Sequence, residues 1–362
     1  MLLMAAGVAS AGPKDVAPPG PGDDCVACHD QWKDARTAHA PTWAGLCAAC
    51  HRSTSPRQHF FEFPAEGTDL CLQCHVARSH LTSLHAPSAQ GLCAICHQPH
   101  ASAQPALLRQ PPTELCLTCH PTKRTEPLAT SPGQCGATTQ GCDTCHDAHQ
   151  SKGASMLKAE TERATCLRCH DTPVVTHSKE TLVNLGAQLA LASSTTQLHG
   201  PIQQGRCGDC HQPHGTDAWR RLRSPMPKDS YAPFVGPETY ELCFRCHDNR
   251  LVTQAVLVEP GTPGAAFSSD GGIERWPGVT AFRNGSDNLH FKHVSLNEKG
   301  RGCRFCHDVH SASGRGLVKS TARLGDWEFR LGFQPRPSGG SCWPGCHAQR
   351  AYDVVTKQEN LR

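Results

Sequence analysis

The sequence predicts mostly irregular loops with short α-helices and very little β-structure, wrapped around an elongated array of bound groups rather than an aliphatic core. Three observations carry this expectation. The chain of 362 residues holds 23 Cys and 23 His, each far above ordinary usage. Its 38% hydrophobic share counts those cysteines and falls to about 32% without them, which is thin for a chain of this length. Finally, the cysteines recur in one phrase at near-regular intervals, so the unit of the fold is a short motif that brings its own packing material.

Ten copies read Cys-x-x-Cys-His. In chain order they are Cys25, Cys28 and His29; Cys47, Cys50 and His51; Cys71, Cys74 and His75; Cys93, Cys96 and His97; and Cys116, Cys119 and His120. The series continues with Cys142, Cys145 and His146; Cys166, Cys169 and His170; Cys207, Cys210 and His211; Cys243, Cys246 and His247; and Cys303, Cys306 and His307. An eleventh, CWPGCH, has one residue more between Cys342 and Cys346, before His347. First cysteines fall 22, 24, 22, 23, 26 and 24 residues apart up to Cys166, then 41, 36, 60 and 39 apart. This divides the chain into an export signal peptide (1–11), a Pro/Gly linker (12–24), a nine-motif array (25–250), a motif-free insert (251–302) and a two-motif C-terminal segment (303–362). Lys179–Ser194 reads as the best amphipathic helix, while 224–238, 261–264 and 271–278 read as turns.

Cys-x-x-Cys-His is the attachment signal for c-type haem: two thiols add to the vinyl groups and the His becomes the proximal iron ligand. A disulfide scaffold explains paired cysteines but not the His after each pair. Zinc sites lack this run of adjacent histidines, and a thioredoxin-like redox pair occurs once. The cofactor is therefore haem c, about eleven copies, with CWPGCH open to either haem or a Cys342–Cys346 disulfide. Each haem is a large apolar plate, and burying several hundred Å² of it contributes on the order of 10 kcal/mol. Stacked haems supply the interior that the side chains lack.

Twelve histidines remain as candidate sixth ligands: His39, His59, His80, His85, His100, His149, His177, His199, His214, His290, His293 and His310. Outside the leader only Met156 and Met226 could compete, so low-potential bis-His irons are expected. Four motifs extend to Cys-x-x-Cys-His-x-x-His, ending at His100, His149, His214 and His310. Histidines three apart on one face of a short helix cannot reach both sides of one plate. The second must serve a different iron. One of His290 and His293 is expected to be surplus, and His80 and His85 pose the same ambiguity. Cys135 stands outside every motif, as a free or partner-linked thiol or as an axial thiolate.

Composition also excludes classes. No stretch approaches ~18 apolar residues, so no transmembrane helix is expected in the mature chain. Lys+Arg 35 against Asp+Glu 32 leaves no basic excess for nucleic acid. Each ferric c-haem adds about −1 through its two propionates, so the formal +3 becomes clearly negative in the holoprotein.

The units Leu84-His85-Ala86-Pro87 before CAICHQPH and Leu198-His199-Gly200-Pro201 before CGDCHQPH resemble the doubled-CxxCH multihaem c-type cytochromes, over roughly residues 71–347. That family includes cytochromes similar to porin-associated decahaem electron conduits and extracellular cytochrome filaments. The resemblance implies a non-enzymatic electron carrier, exported to the periplasm or outer membrane or beyond the cell, acting in extracellular electron transfer. Implied partners are other redox cytochromes, an outer-membrane β-barrel porin, or further copies of the chain in a filament. By position, His100, His149, His214 and His310 would be distal ligands to partner haems, with His85 and His199 serving from upstream. The unit at Cys142 departs from the pattern, having Ser131-Pro132-Gly133-Gln134-Cys135 where the upstream His belongs. A multihaem redox enzyme with one open iron is the competing class. It would call for a Cys-x-x-Cys-Lys motif, which is absent, or a modifying Tyr among Tyr231, Tyr240 and Tyr352.

Overall fold

A His-Ala-Pro or His-Gly-Pro phrase occurs three times, at His39, His85 and His199, and folds the same way each time. In the computed structural model the His is extended, with φ between −71° and −62°, and caps a four-residue helix: Ala40–Trp43, Ala86–Ala89 or Gly200–Gln203. Proline in the first turn suits this start, since its missing N–H would have no intrahelical partner. The helix ends where Gly45, Gly91 or Gly205 takes a left-handed φ of 68°, 70° or 73°. The next N–H returns to the proline carbonyl (Leu46 to Pro41 2.8 Å, Leu92 to Pro87 2.9 Å, Arg206 to Pro201 2.8 Å). This is a Schellman stop, which only glycine reaches at little cost. It delivers the chain directly into Cys47, Cys93 or Cys207.

The described residues are 25–32, 35–54, 60–76, 81–125, 141–175, 181–182, 184–190, 196–257, 280–296 and 298–360. The expected signal (1–11), linker (12–24), His59, His80, His177, Cys135 and the turn clusters 261–264 and 271–278 lie outside them. The chain forms two units, one of residues 1–125 with 140–160, the other of 126–139 with 161–362.

Both units are built of short helices, loops and very small sheets, as the composition predicts. Two-residue strands pair antiparallel wherever a His-x-Pro phrase needs an anchor. Thr37–Ala38 pairs with Ala101–Ser102 and Ser83–Leu84 with Gln150–Ser151 in the first unit; Gln197–Leu198 pairs with Ser311–Ala312 in the second. Side-chain cores are small. In the first unit the only described buried hydrophobic residue is Leu117. The second has two clusters, Ala232 with Tyr240, Val252 and Val294, and Phe305 with Ala322 and Leu331.

Two expectations need correction. First, no helix spans Cys-His-x-x-His: the turns Cys93–Cys96 and Cys303–Cys306 stop at the second cysteine, and His97 and His307 are extended (φ −109°, ψ 146° and φ −105°, ψ 137°). The reason is a β-bridge. His97, His146, His211 and His307 pair with Leu108, Leu157, Leu222 and Val318 in the returning chain, which pulls the backbone out of the helical region. Second, of the helix expected over Lys179–Ser194 the described residues form Leu185–Ala190, while Thr181–Leu182 pairs instead with Val174–Val175. The longest strands among the described residues lie towards the C-terminus. A hairpin joins Thr321–Leu324 to Trp327–Arg330, and a three-stranded sheet joins Gln334–Arg336, Gly339–Cys342 and Arg350–Asp353. The hairpin turns through Gly325 at φ 57°, as a two-residue connection requires.

Candidate haem sites

The four Cys-x-x-Cys-His-x-x-His motifs share one local device. After each motif the chain reverses through two successive left-handed residues: Ala106 and Leu107, Ser155 and Met156, Arg220 and Arg221, or Gly316 and Leu317, with φ of 51° to 67°. Seven of these eight are not glycine, and such strain persists only where the surroundings impose it. Its effect is to aim a carbonyl. Nδ1 of His97, His146, His211 and His307 bonds to the carbonyls of Ala106 (2.8 Å), Ser155 (2.9 Å), Arg220 (2.9 Å) and Gly316 (2.9 Å). A carbonyl only accepts, so Nδ1 carries the proton and Nε2 keeps its lone pair for a metal.

The upstream histidines are set by the same logic. The main-chain N–H of His39 donates to the His100 carbonyl (2.8 Å), that of His85 to His149 (3.0 Å) and that of His199 to His310 (3.0 Å). Their Nδ1 atoms bond to the carbonyls of Pro99 (2.8 Å) and Ala148 (2.9 Å), and for His199 to that of Val309. Each small sheet therefore clamps two histidines side by side.

Clamped together, these histidines face different partners. In the first unit, nearly parallel ring pairs join His39 with His75 (centroids 6.0 Å), His100 with His51 (5.8 Å), His85 with His120 (6.2 Å) and His149 with His97 (5.9 Å). In the second unit, His199 faces His247 (6.0 Å), His310 faces His211 (6.3 Å) and His290 faces His307 (6.2 Å). Two imidazole nitrogens each about 2 Å from one metal, with ring centres about 1 Å further back, put centroids about 6 Å apart. The seven pairs have the spacing that one iron between two histidines demands. In every pair one ring follows a Cys-x-x-Cys loop and the other does not.

Where burial lowers the pKa of a ring, it favours the neutral form, which is the ligating one. It lowers the pKa values of His100, His199, His211, His293, His307 and His310. Burial, with neighbouring His307, His293 and His247, lowers that of His290 to about 3. His347 adds to the lowering at His293, so His290 and His293, one of them expected to be surplus, stand beside different proximal rings. Asn288, fully buried, caps the helix Leu289–Val294 that carries them both.

Cysteines of consecutive motifs adjoin throughout each unit. Cys71 lies against Cys93, and Cys116 against Cys142. In the second unit Cys166 lies against Cys207, and Cys243 against Cys303. Between these contacts, the field of Cys119 acts on Cys96, that of Cys243 on Cys210, and that of Cys342 on Cys306. Within each unit, these neighbours in sequence are thus neighbours in space. In the CWPGCH motif, Cys342 ends a strand and Gly345 at φ 75° makes the turn that absorbs the additional residue. No described cysteine is in a disulfide, Cys342 and Cys346 included, and no group of three or more His, Cys, Asp or Glu among the described residues could hold a metal ion by itself.

A model of the doubled CXXCH motif matches residues 39–80, 85–125, 136–174 and 199–251. The chain is a doubled-CXXCH multihaem c-type cytochrome. No curated protein matches it. Three of the matches begin at His39, His85 and His199, so the family pattern coincides with the clamps of the three upstream histidines. The remaining match starts directly after Cys135, at the departure from that pattern. Among the described residues, no helix of this cytochrome is long and apolar enough to cross a membrane.

Sequence reasoning missed one set of residues. Arg109, Lys158, Arg223 and Lys319 each follow their proximal histidine by twelve positions. Three of them donate back to the carbonyl after the first cysteine: Arg109 to Ala94 (2.5 Å), Arg223 to Gly208, and Lys319 to Arg304 (2.6 Å). Aligning the four motifs on their histidines exposes the basic position. It braces the Cys-x-x-Cys loop in the shape that presents both thiols together.

Proposed function

We propose that this cytochrome holds eleven haems, one at each Cys-x-x-Cys-His motif and one at CWPGCH, and carries electrons among them without catalysing substrate turnover. Bound haem supplies a one-electron couple at each site. The chain supplies the spacing, the ligands and the shielding. The observation that carries the reading is the set of seven histidine pairs at 5.8 to 6.3 Å, because two protein ligands on one iron leave no position for a substrate. Proximal His51, His75, His97, His120, His211, His247 and His307 take their sixth ligands from His100, His39, His149, His85, His310, His199 and His290 respectively. His293 serves the iron at His347.

The alternating cysteine contacts keep consecutive sites close, so within each unit the order of electron transfer follows the order of the motifs. Export follows from the chemistry of c-haem attachment, which implies a place in the periplasm, at the outer membrane or outside the cell. Partners there are redox cytochromes, together with a β-barrel porin or further copies of the chain.

An intact mass spectrum of the mature protein is expected to show eleven haems; ten would remove CWPGCH, and fewer than ten would sink the reading. EPR of the oxidised protein is expected to be dominated by low-spin ferric signals. A substantial high-spin fraction responding to added nitrite or hydroxylamine would instead establish an open, catalytic iron.

A further inference from the structure

The two left-handed residues behind each proximal histidine are filled alike in three motifs and differently in the fourth. The second position is Leu107, Met156 and Leu317, each half-buried, but Arg221 after His211. Arg221 is only 9% exposed, and Nε and both terminal nitrogens of its guanidinium have no hydrogen-bond partner. Its main chain is fixed by the same turn as the others: the Arg220 carbonyl accepts from His211 Nδ1 (2.9 Å), and the Arg221 carbonyl from the Gln212 N–H (2.7 Å). A guanidinium is always charged and carries five donors, and burying one unpaired is far costlier than burying the leucine found in its sisters.

The fitting partner is a carboxylate, which accepts two parallel bonds from the fork. The turn that carries Arg221 is tied to His211, so the group it meets belongs to the haem beside it. We propose that Arg221 binds an ionised propionate of the haem anchored at Cys207 and Cys210, and that its buried charge raises that haem's reduction potential above those at His97, His146 and His307. This rests on the ligand assignment above. Arg221 is a positioning residue: it acts on the potential and touches no reacting substrate. The sign follows from charge, because reduction adds an electron and a nearby buried cation favours the reduced form.

The test is spectroelectrochemical titration of full-length holoprotein, with haem content checked by mass. His310→Met is introduced first, to give the iron at His211 a thioether ligand and move its wave above those of the bis-His haems. Adding Arg221→Leu, the sister residue, is expected to lower that separated wave about tenfold in its reduction equilibrium, or about 59 mV for one electron, with all haems retained. Arg221→Lys keeps the charge and is expected to shift it by less than half as much. An unmoved separated wave overturns the proposal, and movement confined to the remaining waves overturns the assignment to this haem. If His310→Met produces no separated wave, the ligand assignment has failed, and Arg221→Leu in the unaltered protein then decides the arginine by whether any one-haem wave falls.

Discussion

His85 and His149 are tied to each other but face different histidines. The His85 N–H donates to the His149 carbonyl at 3.0 Å, while the rings face His120 and His97 respectively. One two-stranded sheet therefore sets two histidines against two different Cys-x-x-Cys-His motifs, and the same arrangement recurs at His39 with His100 and at His199 with His310.

This makes the clamp divisible. His85→Ala is expected to convert only the iron at His120 to high spin, and His149→Ala only the iron at His97. The double variant should give twice the high-spin EPR intensity of either single one. A single substitution that opens two irons would show that the sheet, and not the individual ring, provides the ligation.

The left-handed reversal carries its own test. Gly316 sits at φ 67° with no atom within 4 Å of an added Cβ, so Gly316→Ala meets only backbone strain. It should destabilise the protein by about 1 kcal/mol in chemical denaturation. Ala106→Gly, at φ 51° in the sister turn, removes the same strain and should be neutral or stabilising by a few tenths of that amount. Equal losses for both would mean that the turn is not strained.

The Schellman glycines separate strain from contact. Gly45 (φ 68°) has open space around an added Cβ, whereas at Gly91 (φ 70°) it would collide with the Thr68 side chain. Gly45→Ala should cost about 1 kcal/mol, and Gly91→Ala distinctly more. It should also disturb the site at Cys71, since Thr68 belongs to the helix Gly67–Leu72 that carries that cysteine. Because c-haem is held by thioether bonds, the check is earlier loss of low-spin axial ligation in mild denaturant, read by visible absorption, with the haem count by mass unchanged.

An acid-range prediction comes from Asp287, whose carboxyl is held below the usual range by hydrogen bonds from Lys292 (2.7 Å) and Lys357 (3.2 Å). A depressed folded value means stability present above the unfolded pKa of about 3.9 and lost as pH falls through the folded one. Both lysines are more than half exposed, so the gain is under about 1 kcal/mol. Asp287→Asn should abolish that difference at neutral pH and converge with the parent near pH 2; a gap that persists there would point to packing instead.

Much of the site is legible in the sequence. Cys-x-x-Cys-His names its own cofactor chemistry, because covalent attachment needs two thiols and a ligand within five residues. The upstream His-x-Pro phrase stands out at His85 and His199, where a Cys-x-x-Cys-His-x-Pro-His follows; the copy at His39 leads into CAACH without a second histidine and does not. The basic brace at Arg109, Lys158, Arg223 and Lys319 shows only when the motifs are aligned on their histidines. The helix expected across His97 and His100 does not form, because a bridge to Leu108 competes successfully with a single unsupported turn.

Residue type and short spacing alone point to haem c, name the candidate proximal histidines and give the lack of an aliphatic core. Which histidine faces which is a property of the folded chain. The partners His39 and His75, or His310 and His211, are separated by tens of residues, and no local preference links them. His39 and His310 are positioned by two-residue strands too short to leave a periodic signal, and by main-chain hydrogen bonds that any side chain permits. The orphaned guanidinium of Arg221 is of the same kind: its charge is plain in the sequence, and its burial exists only once the chain has folded around the haem sites.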